Sequence, residues 1–357
     1  MINFGVIGYG YWGPNVVRNL EHTDGCKVVG ICDKSPTSRK RAQKAHPAIP
    51  VTAQPEDLIS SGETDAIAVI TPVWTHYDLA KAALENGKHV FVEKPFTSDS
   101  AQAEELIDLA ARKNLKIMVD HTFLFTGAVK KIRELLKDGT LGSVYYYDST
   151  RVNLGLFQHD VNVVWDLAPH DLSIIDHLIA ENPEAVSATG QTHLNGLEDV
   201  AFITIYFPNK IIAHINVNWL SPVKVRTTLI GGEKKMLVWN DLEADEKIKI
   251  YDKGINVTNQ QGLYNLLVNY RSGDMWSPKV EQGEALSQEM AYFADCIKND
   301  KVAFNDGLAG LRVVKLLESA TKSLRQRGAL VYLDTPHIKP SHEDKSFVTA
   351  ANTQVAG

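Results

Sequence analysis

The run Gly8-Tyr9-Gly10-Tyr11-Trp12-Gly13 follows directly on the apolar stretch Phe4-Gly5-Val6-Ile7, and Asp33 stands about twenty residues later at the end of a second apolar stretch, Lys27 to Cys32. A Gly-x-Gly-x-x-Gly turn between two such strands, closed by an acid, is the layout of a dinucleotide-binding βαβ unit. Gly8 allows the tight turn, Gly10 lets the backbone approach a pyrophosphate, and Gly13 lets the next helix pack closely with its N-terminus toward the phosphates. Tyr11 and Trp12, between the glycines, belong to the same expected cofactor contact. Asp33 is placed to hydrogen-bond the adenosine ribose and to repel a 2′-phosphate, so NAD is expected rather than NADP. Lys34, Ser35 and Arg39 beside it temper that preference.

The 357 residues are 44% hydrophobic and 22% charged, a globular balance with room for two domains. A net charge of −6 with no run of five like charges gives no footprint for nucleic acid or an anionic membrane. No apolar run approaches a membrane span, and the opening Met-Ile-Asn-Phe-Gly enters a strand at once, so a cytoplasmic protein is expected. Cys26, Cys32 and Cys296 form no Cys-x-x-Cys pair and read as packing residues.

An α/β chain is expected. Up to residue 121, β-branched runs (Phe4 to Ile7, Lys27 to Cys32, Ala66 to Ile70, His89 to Val92, Ile117 to Val119) alternate with helical stretches such as Ala101 to Lys113, which predicts a parallel, doubly wound sheet. In that helix Ala103, Leu106, Ile107 and Ala110 share one face. From 122 to 334 a second, α+β domain is predicted. Strand-like runs there (Val144 to Asn153, Glu184 to His193, Asp199 to Phe207, Lys210 to Asn218, Val223 to Gly231, Lys234 to Asn240, Lys247 to Tyr251) point to a large, mostly antiparallel sheet, with one face open for subunit contact. Phe207-Pro-Asn-Lys210 reads as a hairpin turn, helices are expected from Ser287 to Lys298 and Gly307 to Arg327, and 335–357 reads as a loosely held tail.

Three further clusters carry candidate chemistry. Glu93-Lys94-Pro95 sits at the carboxyl end of a strand, where ligands bind in open α/β sheets, so Lys94 points toward the cofactor crevice; alone, it would read as a surface lysine in a turn. Thr71, Pro72, Thr75 and His76 occupy the corresponding place after the strand ending at Ile70, as ribose and nicotinamide contacts or as a helix start with Thr75 as its cap. Asp166 and His170 are i and i+4 neighbours if their segment is helical. Such a pair suits proton transfer, the carboxylate orienting the imidazole and raising its pKa toward the working range. A metal pair or a capped helix with a surface histidine are the alternatives, and no third strong metal ligand is placed by sequence.

Taken together, Gly8 to Gly13, Asp33, Thr71-Pro72 with His76, Glu93-Lys94-Pro95 and Asp166 with His170 resemble the glucose-fructose oxidoreductase and inositol dehydrogenase family, Gfo/Idh/MocA. The resemblance extends to Phe304 to Val314, which looks like the helix that packs back on the sheet in that family. It implies a nicotinamide-dependent dehydrogenase acting on a hydroxyl of a sugar, cyclitol or nucleotide sugar, working as a homodimer or homotetramer built on the open sheet. Lys94 would then hydrogen-bond the reacting oxygen and favour the developing alkoxide, His170 would be the general base, and Asp166 would bind substrate and hold its neighbours. Relatives that run as ketoreductases often place a tyrosine where His170 stands.

Many relatives continue that histidine as His-x-x-Asp, whereas here Asp171 follows at once, Ser173 takes the third position and Asp176 lies beyond. With Arg151, Asn153 and the Trp165-to-Asp171 segment, this looks like the nucleotide-sugar branch, which includes enzymes oxidising C3 of UDP-N-acetylglucosamine or its uronic acid. Arg151, Asn153, Lys224 and Arg226 are then candidate contacts for a phosphorylated or carboxylated substrate, with solvent-facing strand-edge residues as the alternative. A cyclitol 2-dehydrogenase, a deoxysugar-nucleotide C3-ketoreductase, an enzyme that keeps and regenerates its NAD, and a non-catalytic NAD sensor are the competing readings.

Overall fold

In the computed structural model, residues 1–155, 160–257, 268–271 and 273–333 are described; the tail expected over 335–357 lies outside them. The first sheet comprises β1 (Ile2–Ile7), β2 (Cys26–Cys32), β3 (Val51–Thr52), β4 (Ala66–Val69), β5 (His89–Val92) and β6 (Ile117–Val119), all parallel, in the order 3-2-1-4-5-6. This is the doubly wound dinucleotide-binding order, with its switch point between β1 and β4. Every residue of β4 and β6 is buried, as expected where helices cover both faces. The covering helices include α1 (Gly13–His22), α2 (Pro36–Ala45), α3 (Glu56–Ile59), α4 (His76–Glu85) and α5 (Ser100–Lys113). Asp99 caps α5 by accepting from the Gln102 N–H at 2.9 Å, and the helix buries Ala103, Leu106, Leu109 and Ala110, with Ile107 only partly covered.

After α6 (Gly127–Lys137), β7 (Val144–Leu154) and α7 (Val163–Leu178) come β8 (Ala185–Gln191), β9 (Val200–Tyr206), β10 (Ile212–Asn218), β11 (Leu220–Gly232), β12 (Met236–Asn240) and β13 (Ile248–Tyr251). A short pair, β14 (Gly254–Val257) with β15 (Val268–Arg271), and the two-residue β16 (Met275–Trp276) follow; α8 (Ala285–Lys298), α9 (Gly307–Arg325) and β17 (Val331–Tyr332) end the described chain. The second sheet runs β16-β13-β12-β11-β7-β10-β9-β8-β17, antiparallel except where β10 meets β7. The expected hairpin turn is a short 3₁₀ turn, Pro208–Lys210, in which Asn209 and Lys210 take φ of 61° and 64°.

Alternation in β9 and β10 buries Ala201, Ile203, Ile205, Ala213, Ile215 and Val217 in a core shared with α7 and α9, and turns Phe202, Tyr206, Ile212 and His214 outward. The chain then returns to the first sheet. Phe293 of α8 lies 6.0 Å from the rings of both Phe4 and Phe91, and the N–H of Val119 in β6 donates to the Asn305 carbonyl at 2.9 Å. The carboxyl ends of β5 and β6 are thereby fixed against α7, α8 and α9, which is where the site forms.

Candidate active site

The dinucleotide end is built mainly from backbone. Gly8 has φ of 106°, and a Cβ there would stand 2.0 Å from the Ile70 carbonyl oxygen; a Cβ on Gly13 would stand 2.3 Å from the carbonyl oxygen of Gly8. A Cβ on Gly10 would meet nothing within 4 Å, so that face of the loop is open for a ligand. No side chain caps the N-terminus of α1; Pro14 carries no N–H, and Asn15 and Val16 donate to the Trp12 carbonyl at 2.9 and 3.3 Å, so the helix offers a pyrophosphate the N–H of Gly13. Asp33 accepts from the Tyr9 N–H at 2.7 Å through Oδ2 and from the Ser35 N–H at 2.7 Å through Oδ1. Each oxygen keeps a lone pair for a ribose hydroxyl. This cradle fits a dinucleotide.

Lys34 is exposed, while Arg39 is turned onto the carbonyls of Asp33 and Lys34 at 2.8 Å each. Arg41 latches the glycine loop by donating to the carbonyls of Tyr9 and Gly10. Beside the loop, the Thr75 hydroxyl donates to the Pro72 carbonyl at 2.8 Å and meets the Thr71 hydroxyl at 2.7 Å, so its side chain does not cap α4 as expected. His76 is 1% exposed, with Nδ1 at 2.9 Å from the Pro95 carbonyl and Nε2 at 2.7 Å from that of Thr71. It ties the loop after β4 to the loop after β5 instead of facing the crevice.

Lys94 lies two residues beyond the carboxyl end of β5, and its peptide bond to Pro95 is cis. Its Nζ donates to the main-chain carbonyl of Asp166 at 2.8 Å and lies 3.6 Å from Oδ1 of that residue. The expected helix is present as α7, started by Asn162, whose side chain accepts from the Trp165 N–H at 3.1 Å. The Asp166 carboxylate accepts from Trp219 Nε1 at 2.9 Å through Oδ2. Two elements distant in sequence therefore hold the lysine and the carboxylate together.

His170 lies one turn further on, edge-on to Phe123 at 5.0 Å. The expected pairing with Asp166 does not form, because that carboxylate is turned to Trp219 and Lys94. Nor is the pKa of His170 raised. Burial lowers it well below the usual value, helped by the positive charges of Lys94, Arg151 and Arg226 and by His121. The imidazole is thus held neutral, and an acid limb belonging to it falls below neutrality.

Arg151 is not a solvent-facing strand residue. It is 5% exposed, pairs with buried Asp171 at 2.6 and 3.4 Å, and lies 4.5 Å above the Phe123 ring. Arg226, its register partner on β11, lies 5.7 Å from the same ring and 3.5 Å from Asp241. Nη1 of Arg151 has no hydrogen-bond partner among the described residues. Asn153 is half-buried and Lys224 exposed.

The sequence from 2 to 121 matches the family model described as "Oxidoreductase family, NAD-binding Rossmann fold", and 129 to 238 matches the "GFO/IDH/MocA C-terminal domain". The chain belongs to the Gfo/Idh/MocA oxidoreductase family. An uncharacterized oxidoreductase of Escherichia coli K12, YdgJ, is 33% identical over 92% of this chain and 98% of its own length. A UDP-N-acetylglucosamine 3-dehydrogenase of Acidithiobacillus ferrooxidans is 25% identical over 87% of this chain and 93% of its own. The solved structure of that enzyme superposes with a TM-score of 0.75, at 23% identity, over 91% of this chain and 98% of that one. An uncharacterized oxidoreductase of Streptococcus pneumoniae is 27% identical over 60% of this chain and 61% of its own length.

In this Gfo/Idh/MocA oxidoreductase the sequence motifs supply Lys94, Asp166 and His170, but the groups that position them carried no motif. Phe123, whose ring touches His170 and both arginines, sits in a short 3₁₀ turn, Thr122–Phe125, and Trp219 follows β10 with no local pattern to mark it. Asp120, which accepts from Trp12 Nε1 of the glycine loop at 2.8 Å, had a usable signal, since it directly follows β6 at a strand's carboxyl end. Among the described residues, no helix is long and apolar enough to cross a membrane.

Proposed function

We propose that this oxidoreductase uses NAD to oxidise a secondary hydroxyl of a sugar, at C3 of a nucleotide sugar such as UDP-N-acetylglucosamine or its uronic acid. The observation that carries the reading is the convergence of Lys94, Asp166 and neutral His170 at the carboxyl end of β5, beside the glycine cradle. Bound NAD supplies the hydride acceptor. Lys94 donates a hydrogen bond to the reacting oxygen and stabilises the negative charge that grows on it. His170, already deprotonated, accepts the hydroxyl proton at a ring nitrogen. Asp166 keeps the ammonium aimed and contacts the sugar.

The ribose role of Asp33 favours NAD over NADP through its charge. Arg226, partly exposed, and the unpaired Nη1 of buried Arg151 favour an anionic substrate, as a nucleotide or uronic acid is. The outward row Phe202, Tyr206, Ile212 and His214 suits contact between copies, and we assign homodimer or homotetramer assembly to that face. The test mixes the enzyme and NAD with UDP-sugars, the matching uronic acids, free sugars and inositols, following the absorbance of reduced cofactor. Turnover of the nucleotide sugars alone is expected; turnover of only free cyclitols would replace this reading with the cyclitol one.

A further inference from the structure

Tyr9 stands between the first two glycines of the loop, with its side chain turned inward and 1% of the residue exposed. Its N–H donates to Asp33 Oδ2 at 2.7 Å. Its carbonyl accepts from Arg41 Nη2, which also donates to the Gly10 carbonyl at 2.6 Å, and the guanidinium stands 5.4 Å from the centre of the Tyr9 ring. The phenol is held as well, with its oxygen 3.0 Å from Nε2 of His46. The two rings lie 5.9 Å apart and almost perpendicular, at 88°.

Behind the histidine is a carboxylate. Nδ1 of His46 lies 2.7 Å from Oε2 of Glu21, in the last turn of α1. His46 closes α2, its N–H donating to the Ala42 carbonyl at 2.8 Å, so the imidazole starts from a fixed backbone. The chemistry of the three groups gives the row a direction. A carboxylate only accepts, so Nδ1 carries a proton; a neutral imidazole then has Nε2 as its acceptor, and the phenol donates to it. Burial pushes the Tyr9 phenol above its ordinary value, with Arg41 opposing and Glu21 adding to the rise, so the hydroxyl keeps the proton it donates. The row runs from the Tyr9 hydroxyl through His46 to Glu21 and ties the glycine loop to the ends of α2 and α1.

Asp33 is where this anchoring acts. Its Oδ1 is held by the Ser35 N–H at 2.7 Å, and its Oδ2 by Tyr9, so the tyrosine sets one of the two hydrogen bonds that aim the carboxylate. We infer that Tyr9 is a positioning residue for dinucleotide choice: anchored through His46 to Glu21, it keeps Asp33 aimed at the adenosine ribose, a role that rests on the ribose reading of Asp33.

Calorimetric titration with NAD and with NADP at about pH 8.5, where an ordinary imidazole is neutral, tests the role. Tyr9→Phe keeps the ring and loses only the hydroxyl. Its NAD dissociation constant should rise about fivefold, the loss of one hydrogen bond, and its NADP constant less than about twofold, because loosening Asp33 costs NAD an acceptor and NADP none. His46→Leu should do the same, and the double variant should bind NAD no more weakly than either single one, since both changes break one row. An unchanged NAD constant in Tyr9→Phe, equal weakening for both dinucleotides, or effects that multiply in the double variant overturns the positioning role. Nitrogen-15 NMR of the ligand-free wild type reads the row without any variant: His46 should carry its proton on Nδ1, and a neutral ring protonated on Nε2 overturns it. A wild type that prefers NADP, or binds neither dinucleotide, brings down the ribose reading of Asp33 and the positioning role with it, whereas failure in the variants alone leaves that reading standing.

Discussion

The two ends of the crevice are built in different ways. The dinucleotide end is local: Gly8, Gly10, Gly13 and Asp33 lie within one βαβ unit and act mainly through backbone geometry. The proposed substrate end is distributed: Lys94 from the loop after β5, Phe123 from the 3₁₀ turn after β6, Arg151 from β7, Asp166 and His170 from α7, Trp219 after β10 and Arg226 from β11 meet only in the folded chain. Damage to the first should therefore stay confined to cofactor binding, whereas damage to the second should mix stability with chemistry. Four experiments can break or sharpen that contrast.

The largest effect is expected at Asp171, whose carboxylate holds buried Arg151 from α7. Asp171→Asn leaves a buried guanidinium without its counter-charge, and a loss of about 3–5 kcal/mol in unfolding free energy is expected by urea denaturation. A loss below about 1 kcal/mol would mean that solvent or Asp241 replaces the partner, and the substrate end would be less interlocked than its geometry implies.

Next is Lys94→Ala. Turnover should fall by roughly a hundredfold or more, since the lost ammonium acts on charge that develops only during reaction, while the NAD dissociation constant stays within about threefold. Near-normal turnover would remove Lys94 from the chemistry. A large loss of NAD affinity would instead join the two ends that the contrast separates. Asp33→Ala is the matching test at the dinucleotide end: the ratio of kcat/KM for NAD to that for NADP should drop by about tenfold, with no change in unfolding free energy beyond about 1 kcal/mol.

The same contrast explains what could be read in advance. The parallel, doubly wound character of the first sheet and five of its strands were legible because glycine spacing and β-branched runs are local signals, and the alternation in β9 and β10 pointed to the second sheet and its open face. Lys94, Asp166 and His170 were legible as residues but not as a geometry. The i, i+4 spacing of Asp166 and His170 implied a pair, yet Trp219, fifty-three positions away, takes the Asp166 carboxylate. Arg151 was open to reading as a surface residue because nothing near it in sequence marks Phe123 beneath it or foretells its burial. Very short strands such as β3 and β17 carry too few residues for periodicity to register.

The smallest effect, and the one that bears most directly on the base, concerns pH. The folded pKa of His170 is depressed, so between that value and the ordinary value of about 6.5 the unfolded chain binds the proton and the folded chain does not. His170 therefore leaves stability unreduced above about pH 6.5 and takes it away as pH falls from there toward the folded pKa. His121, lowered to about 4, acts with the same sign, whereas Glu93 and Glu289, raised by burial and by Asp120, act with the opposite sign above the ordinary carboxylic range. Replacing His170 by Asn should flatten part of the acid-side loss in urea unfolding series below about pH 6.5, because a group that no longer titrates cannot favour the unfolded chain. The chemistry should follow the same ionisation: single-turnover reduction of NAD should rise with pH through a limb below neutrality, lie flat across neutral pH, and lose that limb in His170→Asn. A wild-type limb centred at or above pH 7, or one that survives in the variant, would assign proton removal to another group and leave His170 as a packing partner of Phe123.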